Sequence, residues 1–260
     1  MPKQNCRLHQ FISTLKFCYG IIFSQRELMN IFAENKKTVV KEYLSFIETK
    51  EFPCIAAKAA LARQQVKCMV AGNMACPNED AGILQFLYEF VDEYRNSKDF
   101  YHSAAIIFSG PLINSEEMFD ALLWQRLQAL QVFDAENYYY DDRVESDTSS
   151  PKFSFSIKQE AFYIIGLHPA SSRHSRQFKY PVLVFNPHEQ FEQLRATTKY
   201  DVMKNAVRKR DIVFSGSVNP MLQDFGKASE VYQYSGRKYE DSWQCPLKIT
   251  HAETKHNSST

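Results

Sequence analysis

The sequence of 260 residues contains none of the familiar cysteine motifs. Its six cysteines, at positions 6, 18, 54, 68, 76 and 245, form no CxxC pair and no CxxCH run. The missing CxxCH run argues against a covalently attached c-type haem. The wide and irregular spacing is typical of reduced thiols in a cytoplasmic protein and not of a disulfide framework.

A strong net charge and a long apolar run are also missing. The formal net charge is +1, which argues against a dedicated nucleic-acid surface. A tight basic run at 208–210, with Lys204 one turn earlier, is interpreted as a solvated helix face. Lys16 interrupts the apolar-leaning segment 11–23, so we expect neither a signal peptide nor a membrane span.

Several common catalytic and binding signatures are absent as well. The chain carries no GxSxG elbow, no P-loop and no Rossmann glycine fingerprint. Flavin or nicotinamide binding through a familiar motif is therefore not expected. The loop 134–151 is rich in acidic residues but lacks the glycine and the regular ligand spacing of a calcium loop. We expect its acidic side chains to be solvated: Asp141, Asp142, Glu145 and Asp147.

The composition is that of an ordinary globular domain, with 44% hydrophobic and 23% charged residues. Helical and short apolar segments follow one another along the chain, which predicts an α+β fold. In this fold a central mixed sheet is flanked by helices. We expect an N-terminal segment at 1–23, a single domain at 24–250 and a disordered tail at 251–260.

Capping and periodicity signals locate the individual elements. Ser24 should cap a helix that ends near Thr49. Asn114 and Glu117 should cap another helix, which runs to about Phe133. Further helices are predicted at 54–63, 80–97 and 200–214. Strands are predicted at 66–71, 104–108, 153–157, 161–167 and 182–185, and the third and fourth of these should form a hairpin.

One histidine follows directly after a predicted strand. The strand 161–167 places His168 at its end, where Pro169 stops further pairing. A neutral imidazole can bind iron. The alternative is that His168 only bridges backbone groups.

A second histidine follows the strand 182–185. Asn186 is the predicted N-cap of a helix and Pro187 its first residue. His188 then lies in the first helical turn, where the helix dipole favours a neutral ring that can act as a ligand. A capping role is again the alternative.

Blocks of this sequence resemble the YqcI/YcgG family. They are HPASSRHSR at 168–176, FNPHEQFEQLR at 185–195 and NPMLQDFGKASEVYQYSGR at 219–237. FPCIAAKAAL at 52–61 and SWQCPL at 242–247 are similar to the family too. More narrowly, the blocks resemble its branch of haem-dependent N-hydroxylases, which act on arginine-like guanidino compounds.

The resemblance implies an enzyme with non-covalent haem b that hydroxylates a nitrogen of a guanidino or amine substrate. It implies His168 as the axial ligand and catalytic residue. His188 is then the runner-up, or the residue on the opposite face of the haem. Electrons would come from an external donor or from peroxide, and the chain could form a homo-oligomer.

Haem propionates need cationic partners, and a guanidinium binds carboxylates through paired charge-assisted hydrogen bonds. The candidates are Arg173, Arg176 and Arg195, with Ser172 and Arg237 as further cofactor contacts. Surface or interstrand salt bridges are the alternative for each arginine. A cationic substrate would need carboxylates, for which the candidates are Glu189, Glu192, Asp224 and Glu230.

Two other classes of protein share these features. A haem-binding sensor or carrier without turnover would use the same histidines. A non-haem metal protein would combine His168 and His188 with a carboxylate, and a purely structural protein would use neither. Cys54 is interpreted as core packing, because apolar surroundings raise the pKa of a thiol.

Overall fold

The computed structural model describes residues 25–99, 101–195, 199–216 and 226–250. The chain divides into two compact units, residues 1–39 and 40–260. The described part of the first unit is the amino-terminal portion of a helix, α1. This helix spans Gln25–Glu48. The predicted cap Ser24, the segment 1–23 and the tail 251–260 lie outside the described residues.

The described residues of the second unit contain six α-helices and five strands. The helices are α2 (Ile55–Ala62), α3 (Asp80–Asn96), α4 (Glu116–Ala135), α5 (His188–Arg195), α6 (Lys199–Ser215) and the short α7 (Val231–Tyr234). The strands are β1 (Val66–Asn73), β2 (Ser103–Gly110), β3 (Phe155–Ile157), β4 (Glu160–Leu167) and β5 (Val182–Pro187).

The strands form one mixed sheet in the order β1-β2-β5-β4-β3. Strands β1 and β2 are parallel, and α3 supplies the crossover between them. The other three pairs of neighbours are antiparallel. A mixed sheet flanked by helices confirms the predicted α+β class.

The predicted hairpin between β3 and β4 is present. Its turn consists of Lys158 and Gln159, both with positive φ, at 53° and 55°. Two such residues give a turn whose twist matches that of the flanking strands. Because the turn is this tight, Glu160 belongs to β4, and its carboxylate is buried.

Strand β4 separates two faces of the sheet by simple alternation. Phe162 and Ile164 belong to the main apolar core, together with side chains of α3 and α4. Gly166 lies on the same face. A Cβ on it would lie 2.8 Å from Cζ of Phe119 on α4 and 3.0 Å from the Tyr234 carbonyl oxygen. This face of the sheet is therefore filled.

Two predicted helix caps are each wrong by one residue. Strand β5 continues through Asn186 and Pro187, so α5 begins at His188 itself. The Asn186 side chain bonds to Ser103 on β2 instead of capping a helix. The cap of α4 is Ser115, whose Oγ accepts a hydrogen bond from the Met118 amide at 3.1 Å, and not Asn114.

The prediction that the acidic loop side chains are solvated is wrong for Asp141. This residue is only 3% exposed. Its carboxylate accepts hydrogen bonds from the Ala161 amide at 2.8 Å and from Arg143 at 2.6 Å. Arg143 also pairs with Glu160 and Glu189. Asp141 thus joins the loop to the start of β4.

Candidate functional site

A cavity of about 280 Å³ lies on the face of the sheet opposite the main core. Tyr163, Ile165 and Leu167 of β4 line it, with Ser103 of β2 and Asn186 of β5. These are the residues that alternate with the core-facing ones. Segments from before and within α2, from α5 and α6, and from the chain around Arg173 and Glu230 complete the walls. The volume is near the lower end of typical ligand pockets, roughly 300–1,000 Å³.

The polar groups of the cavity floor are held by one another. Ser103 Oγ donates to Asn186 Oδ1, and Asn186 Nδ2 donates to the Tyr163 carbonyl oxygen at 3.2 Å. The Tyr163 hydroxyl donates to Gln233 Oε1. These bonds cross from β2 to β5, to β4 and to α7, so the floor is a fixed surface.

Two buried acceptors line the cavity. Glu230 is 4% exposed, and its carboxylate accepts a hydrogen bond from Ser154 Oγ at 3.0 Å. Gln190 is 3% exposed; its Nε2 donates to the His102 carbonyl oxygen at 3.2 Å. That bond fixes the orientation of the amide. Its Oε1 is then a buried acceptor that has no hydrogen-bond partner among the described residues.

Cationic side chains outnumber acidic ones around the cavity. Its lining includes five cationic side chains and two acidic ones, Asp211 and Glu230. Arg173 pairs with Asp211 at 2.5 Å and Arg195 pairs with Glu192. The five cationic residues are Arg173, Arg176, Arg195, Lys204 and Arg208.

The interpretation of the basic run on α6 as a solvated face is correct for Lys209 and Arg210, which are exposed. It is wrong for Lys204 and Arg208, which are half-buried and line the cavity. Because the helix turns once in about 3.6 residues, positions 204 and 208 lie on one side of it. The sequence cluster therefore divides between the cavity and the solvent.

Arg176 is buried, and it contacts the chain around α7 as well as lining the cavity. Its Nη1 donates to the Tyr234 carbonyl oxygen at 3.1 Å. A Cβ on Gly236, whose φ is +85°, would lie 2.7 Å from the Arg176 Cδ. Arg176 thus holds the chain around α7 in place from the cavity wall.

Ser172 and Arg237 do not line the cavity. Ser172 is exposed, and its Oγ donates to the Glu116 carboxylate at 2.7 Å. Arg237 lies near two carboxylates of α4, Glu117 at 3.4 Å and Asp120 at 3.8 Å. Of the five predicted cofactor contacts other than histidine, Arg173, Arg176 and Arg195 are brought together at the cavity.

His168 faces away from the cavity. It continues the alternation of β4 beyond Gly166, so its ring lies on the core face. It is 1% exposed and stacks on Phe119, with ring centroids 4.2 Å apart. Its Nδ1 is buried and has no hydrogen-bond partner among the described residues. Burial lowers the pKa of His168 to about 4, so the ring is neutral at pH 7.

This burial predicts an acid-labile contribution to stability. Below pH 6.5 the unfolded chain protonates the imidazole of His168, whereas the folded chain keeps it neutral until the pH reaches about 4. Protonation therefore favours the unfolded chain, and stability is lost as the pH falls between these two values. Between these values wild type should lose on the order of 3 kcal/mol more free energy of unfolding than His168→Phe, which keeps a ring on Phe119. Urea denaturation at several pH values measures the difference, and parallel pH curves would contradict it.

His188 begins α5 as predicted, and its ring lies between two carboxylates. Nε2 is 3.1 Å from Glu192 Oε1, and Nδ1 is 3.4 Å from Glu230 Oε1. The side chain is 7% exposed, whereas that of Glu192 is 40% exposed. His188 therefore links the cavity acceptor Glu230 to a carboxylate at the protein surface.

Most lining residues were not predicted as site residues from the sequence, and Gln190, His102 and Cys54 are among them. His102 is half-buried beside the cavity, its Nε2 is 3.1 Å from Ser97 Oγ, and burial lowers its pKa. Cys54 is the N-cap of α2, and its Sγ accepts from the Ala57 amide at 3.4 Å. Burial raises the pKa of this thiol, as expected. The interpretation of Cys54 as core packing is therefore wrong, because it lines the cavity. His102 carries no local motif.

A second cleft, of about 660 Å³, is larger and polar. It is lined by Arg143 and by the carboxylates that bind it, Asp141, Glu160 and Glu189. Since these charges already satisfy one another, the cleft offers less to a ligand than the cavity does. We therefore place the candidate site in the cavity.

Within the described ranges, no group of three or more His, Cys, Asp or Glu side chains could hold a metal ion. In the same residues no helix is both long and apolar enough to cross a membrane. Asp224, a predicted carboxylate for a cationic substrate, lies outside the described residues.

The fold and the cavity define a class of α+β protein in which one sheet face is packed and the other carries a pocket of mixed charge. The chain belongs to the YqcI/YcgG family, whose model matches residues 43–248. This match contains every lining residue of the cavity.

Two relatives from Bacillus subtilis (strain 168) are similar to the chain. The uncharacterized protein YqcI is 27% identical over 207 residues, which cover 76% of this chain and 80% of YqcI. The uncharacterized protein YcgG is 24% identical over 184 residues, which cover 67% of this chain and 71% of YcgG. A comparison with solved structures found no match.

Proposed function

We propose that the protein is an enzyme that binds an arginine-like guanidino or amine compound in the cavity and hydroxylates one of its nitrogens. The observation that carries the proposal is the pair of buried acceptors, Glu230 and Gln190, in a cavity whose lining also includes five cationic side chains. The acceptors suit the N–H groups of a guanidinium or ammonium, and the arginines suit a carboxylate. A zwitterionic amino acid offers both.

The Gln190 Oε1 atom, which accepts no hydrogen bond from the residues that the structure describes, supports this assignment. Leaving a buried acceptor without a donor costs about 1–3 kcal/mol. A ligand N–H group would remove that cost, so the site is arranged to gain from binding a donor. A guanidinium presents several N–H donors in one plane, more than the Gln190 oxygen alone would use, so donors remain for the Glu230 carboxylate.

Haem b, the cofactor that the resemblance implies, is matched only in part by the described residues. Cationic side chains for the propionates are present in Arg173, Arg195 and Arg208. Neither histidine predicted as the axial ligand is offered to the cavity, because His168 lies on the other face of the sheet and both nitrogens of His188 face carboxylates. We therefore assign no chemical step to a haem ligand and leave the source of oxygen to experiment.

The reaction has a simple balance. One N–H bond becomes N–OH. With dioxygen, an external donor must supply two electrons and two protons, and the second oxygen atom leaves as water. With hydrogen peroxide, only water leaves. No flavin or nicotinamide motif is present, so a nicotinamide cofactor alone should not support turnover.

The decisive experiment combines a spectrum with product analysis. Purified protein is incubated with haem b, and a Soret band that acid–butanone extraction removes would establish non-covalent haem. The loaded and unloaded proteins then react with a panel of guanidino and amino compounds, with peroxide or with dioxygen and ascorbate. We expect a product heavier by one oxygen. Haem binding without a product would favour a sensor or carrier. If the protein bound neither haem nor any compound of the panel, the proposal would be contradicted.

A substitution at Gln190 tests the binding site itself. Gln190→Leu should weaken arginine binding about tenfold, the equivalent of one hydrogen bond of roughly 1.4 kcal/mol. Its free energy of unfolding should change little, because the variant loses a bond to His102 but also removes an unpaired acceptor. Isothermal titration calorimetry measures the affinity. Gln193→Leu, on the exposed side of the same helix, is the matched control and should bind like wild type.

A further inference from the structure

A series of four polar side chains, the charge series, connects two points of the cavity wall. Glu230 lines the cavity, and its Oε1 lies 3.4 Å from His188 Nδ1. His188 Nε2 lies 3.1 Å from Glu192 Oε1, and the same oxygen accepts a hydrogen bond from Arg195 Nη1. Arg195 lines the cavity again. The two end members, Glu230 and Arg195, therefore border the same space and carry opposite charges.

Helix α5 carries three of the four members. Positions 188, 192 and 195 are four and three residues apart, so they lie along one side of the helix. The helix axis rises by roughly 10 Å between the first and the last of them. Glu230 contacts the first residue of α5, and Arg195 is its last residue. These are the helix ends at which the dipole favours an acidic and a basic side chain, respectively. The cavity thus has an acidic end and a basic end.

The pair of Arg195 and Glu192 can be exchanged at low cost. The side chain of Arg195 is 25% exposed and that of Glu192 is 40% exposed, and ion pairs near the surface contribute little to stability. A guanidinium also binds carboxylates through two parallel hydrogen bonds. A ligand carboxylate could therefore take the place of Glu192 on Arg195, and Glu192 would keep its contact with His188.

The other two arginines predicted as cofactor contacts in the cavity are held more firmly. Arg173 and its partner Asp211 have side chains that are 8% and 12% exposed, and removing one partner of a buried pair leaves an uncompensated charge. Arg176 donates to the Tyr234 carbonyl oxygen at 3.1 Å and so supports the wall. Of the three arginines, Arg195 is the one best suited to bind a ligand.

We propose that Arg195 is the carboxylate-binding residue of the cavity and that, together with Glu230, it selects ligands by the separation of their charges. This inference rests on the proposed function and narrows the ligand to an α-amino acid whose side chain ends in a cation. The carboxylate of the ligand binds at the end of α5, and its guanidinium or ammonium group binds at the start. His188 and Glu192 hold the two end members apart, so a ligand must span the distance between them.

Calorimetry on the full-length protein with arginine and with agmatine, its analogue without the carboxylate, tests the role of Arg195. Wild type should bind arginine about tenfold more tightly than agmatine, because only arginine can form the charge-assisted pair with the guanidinium. Arg195→Met keeps an unbranched side chain but removes the charge. It should lower this preference to about twofold or less. A residue with a merely structural role would affect both compounds alike.

Two further variants serve as controls. Arg237→Met removes an arginine outside the cavity, near Glu117 and Asp120, and should keep the full preference for arginine. Arg208→Met removes a cation of the cavity wall on α6 and should keep the preference as well. If Arg208→Met loses the preference and Arg195→Met keeps it, the carboxylate is bound from α6 and the proposal is wrong.

A shorter ligand tests the selection by charge separation. In an analogue of arginine with a single methylene between Cα and the guanidino group, the two charges lie closer together. Wild type should bind it about tenfold more weakly than arginine, since one of the two ends is then left unbound. Equal affinities for the two would overturn the selection by length, and equal affinities for arginine and agmatine would overturn the role of Arg195. If wild type binds none of the three compounds, the proposed function itself is wrong and this inference falls with it.

Discussion

Glu230→Gln should bind arginine about 10- to 150-fold more weakly than the wild-type protein. A hydrogen bond to a charged group contributes about 1.5–3 kcal/mol, and each 1.4 kcal/mol is a factor of ten in affinity. Glutamine keeps the size of the side chain and can still accept from Ser154 Oγ. The loss would therefore come from the missing negative charge and not from a cavity or a clash.

The control for this prediction is Glu189→Gln. Glu189 belongs to the same region but lies in the second cleft, where it pairs with Arg143 at 3.2 Å. Calorimetry with arginine should give wild-type affinity for this variant. Equal affinities of Glu230→Gln and wild type would show that the cation of the ligand is bound elsewhere, and the assignment of the cavity acceptors would be wrong.

Arg126→Met should lower the free energy of unfolding by about 3–5 kcal/mol, because it leaves the carboxylate of Asp80 buried without its partner. Both side chains are 1% exposed. Arg126 Nη2 also donates to the Met74 carbonyl oxygen at 2.7 Å, which would lose its donor. The pair joins the start of α3 to α4 on the packed side of the sheet, so the effect should be on stability alone.

Chemical denaturation measures this loss of stability, and two further variants serve as controls. The double substitution Arg126→Met with Asp80→Leu removes both charges and should recover most of the stability. Lys67→Met breaks an exposed pair with Glu93, whose side chains are 48% and 55% exposed, and should cost at most about 1 kcal/mol. A similar cost for Arg126→Met and Lys67→Met would contradict the prediction.

The sequence predicted most elements of the fold, since periodicity and capping are local signals. It did not predict the direction of His168. Strand β4 is apolar on both faces, and a strand buried on both sides has no polar alternation that would reveal which face a residue takes. The stacking of Phe119 on His168 joins residues 49 positions apart and leaves no trace in the local pattern.

The wrong cap at Asn186 has a similar cause. Its local context, Asn-Pro-His-Glu, is a good helix start. The Asn186 side chain nevertheless accepts a hydrogen bond from Ser103, which lies 83 positions away in the sequence. The strand therefore continues through Asn186. Glu230 shows the opposite case, because the sequence named it among four carboxylates but gave no means of ranking them. Only the fold, which gathers separate segments around one cavity, distinguishes it.

The two-faced character of β4 has a practical consequence for altering this protein. Substitutions at Tyr163, Ile165 and Leu167 change the shape of the pocket floor, while those at Phe162, Ile164 and Gly166 disturb the packed core. A mutant library confined to the odd-numbered positions would therefore explore ligand preference at a lower cost in folding yield. A library at the even-numbered positions would mostly return unstable chains, although the six residues are direct neighbours in the sequence.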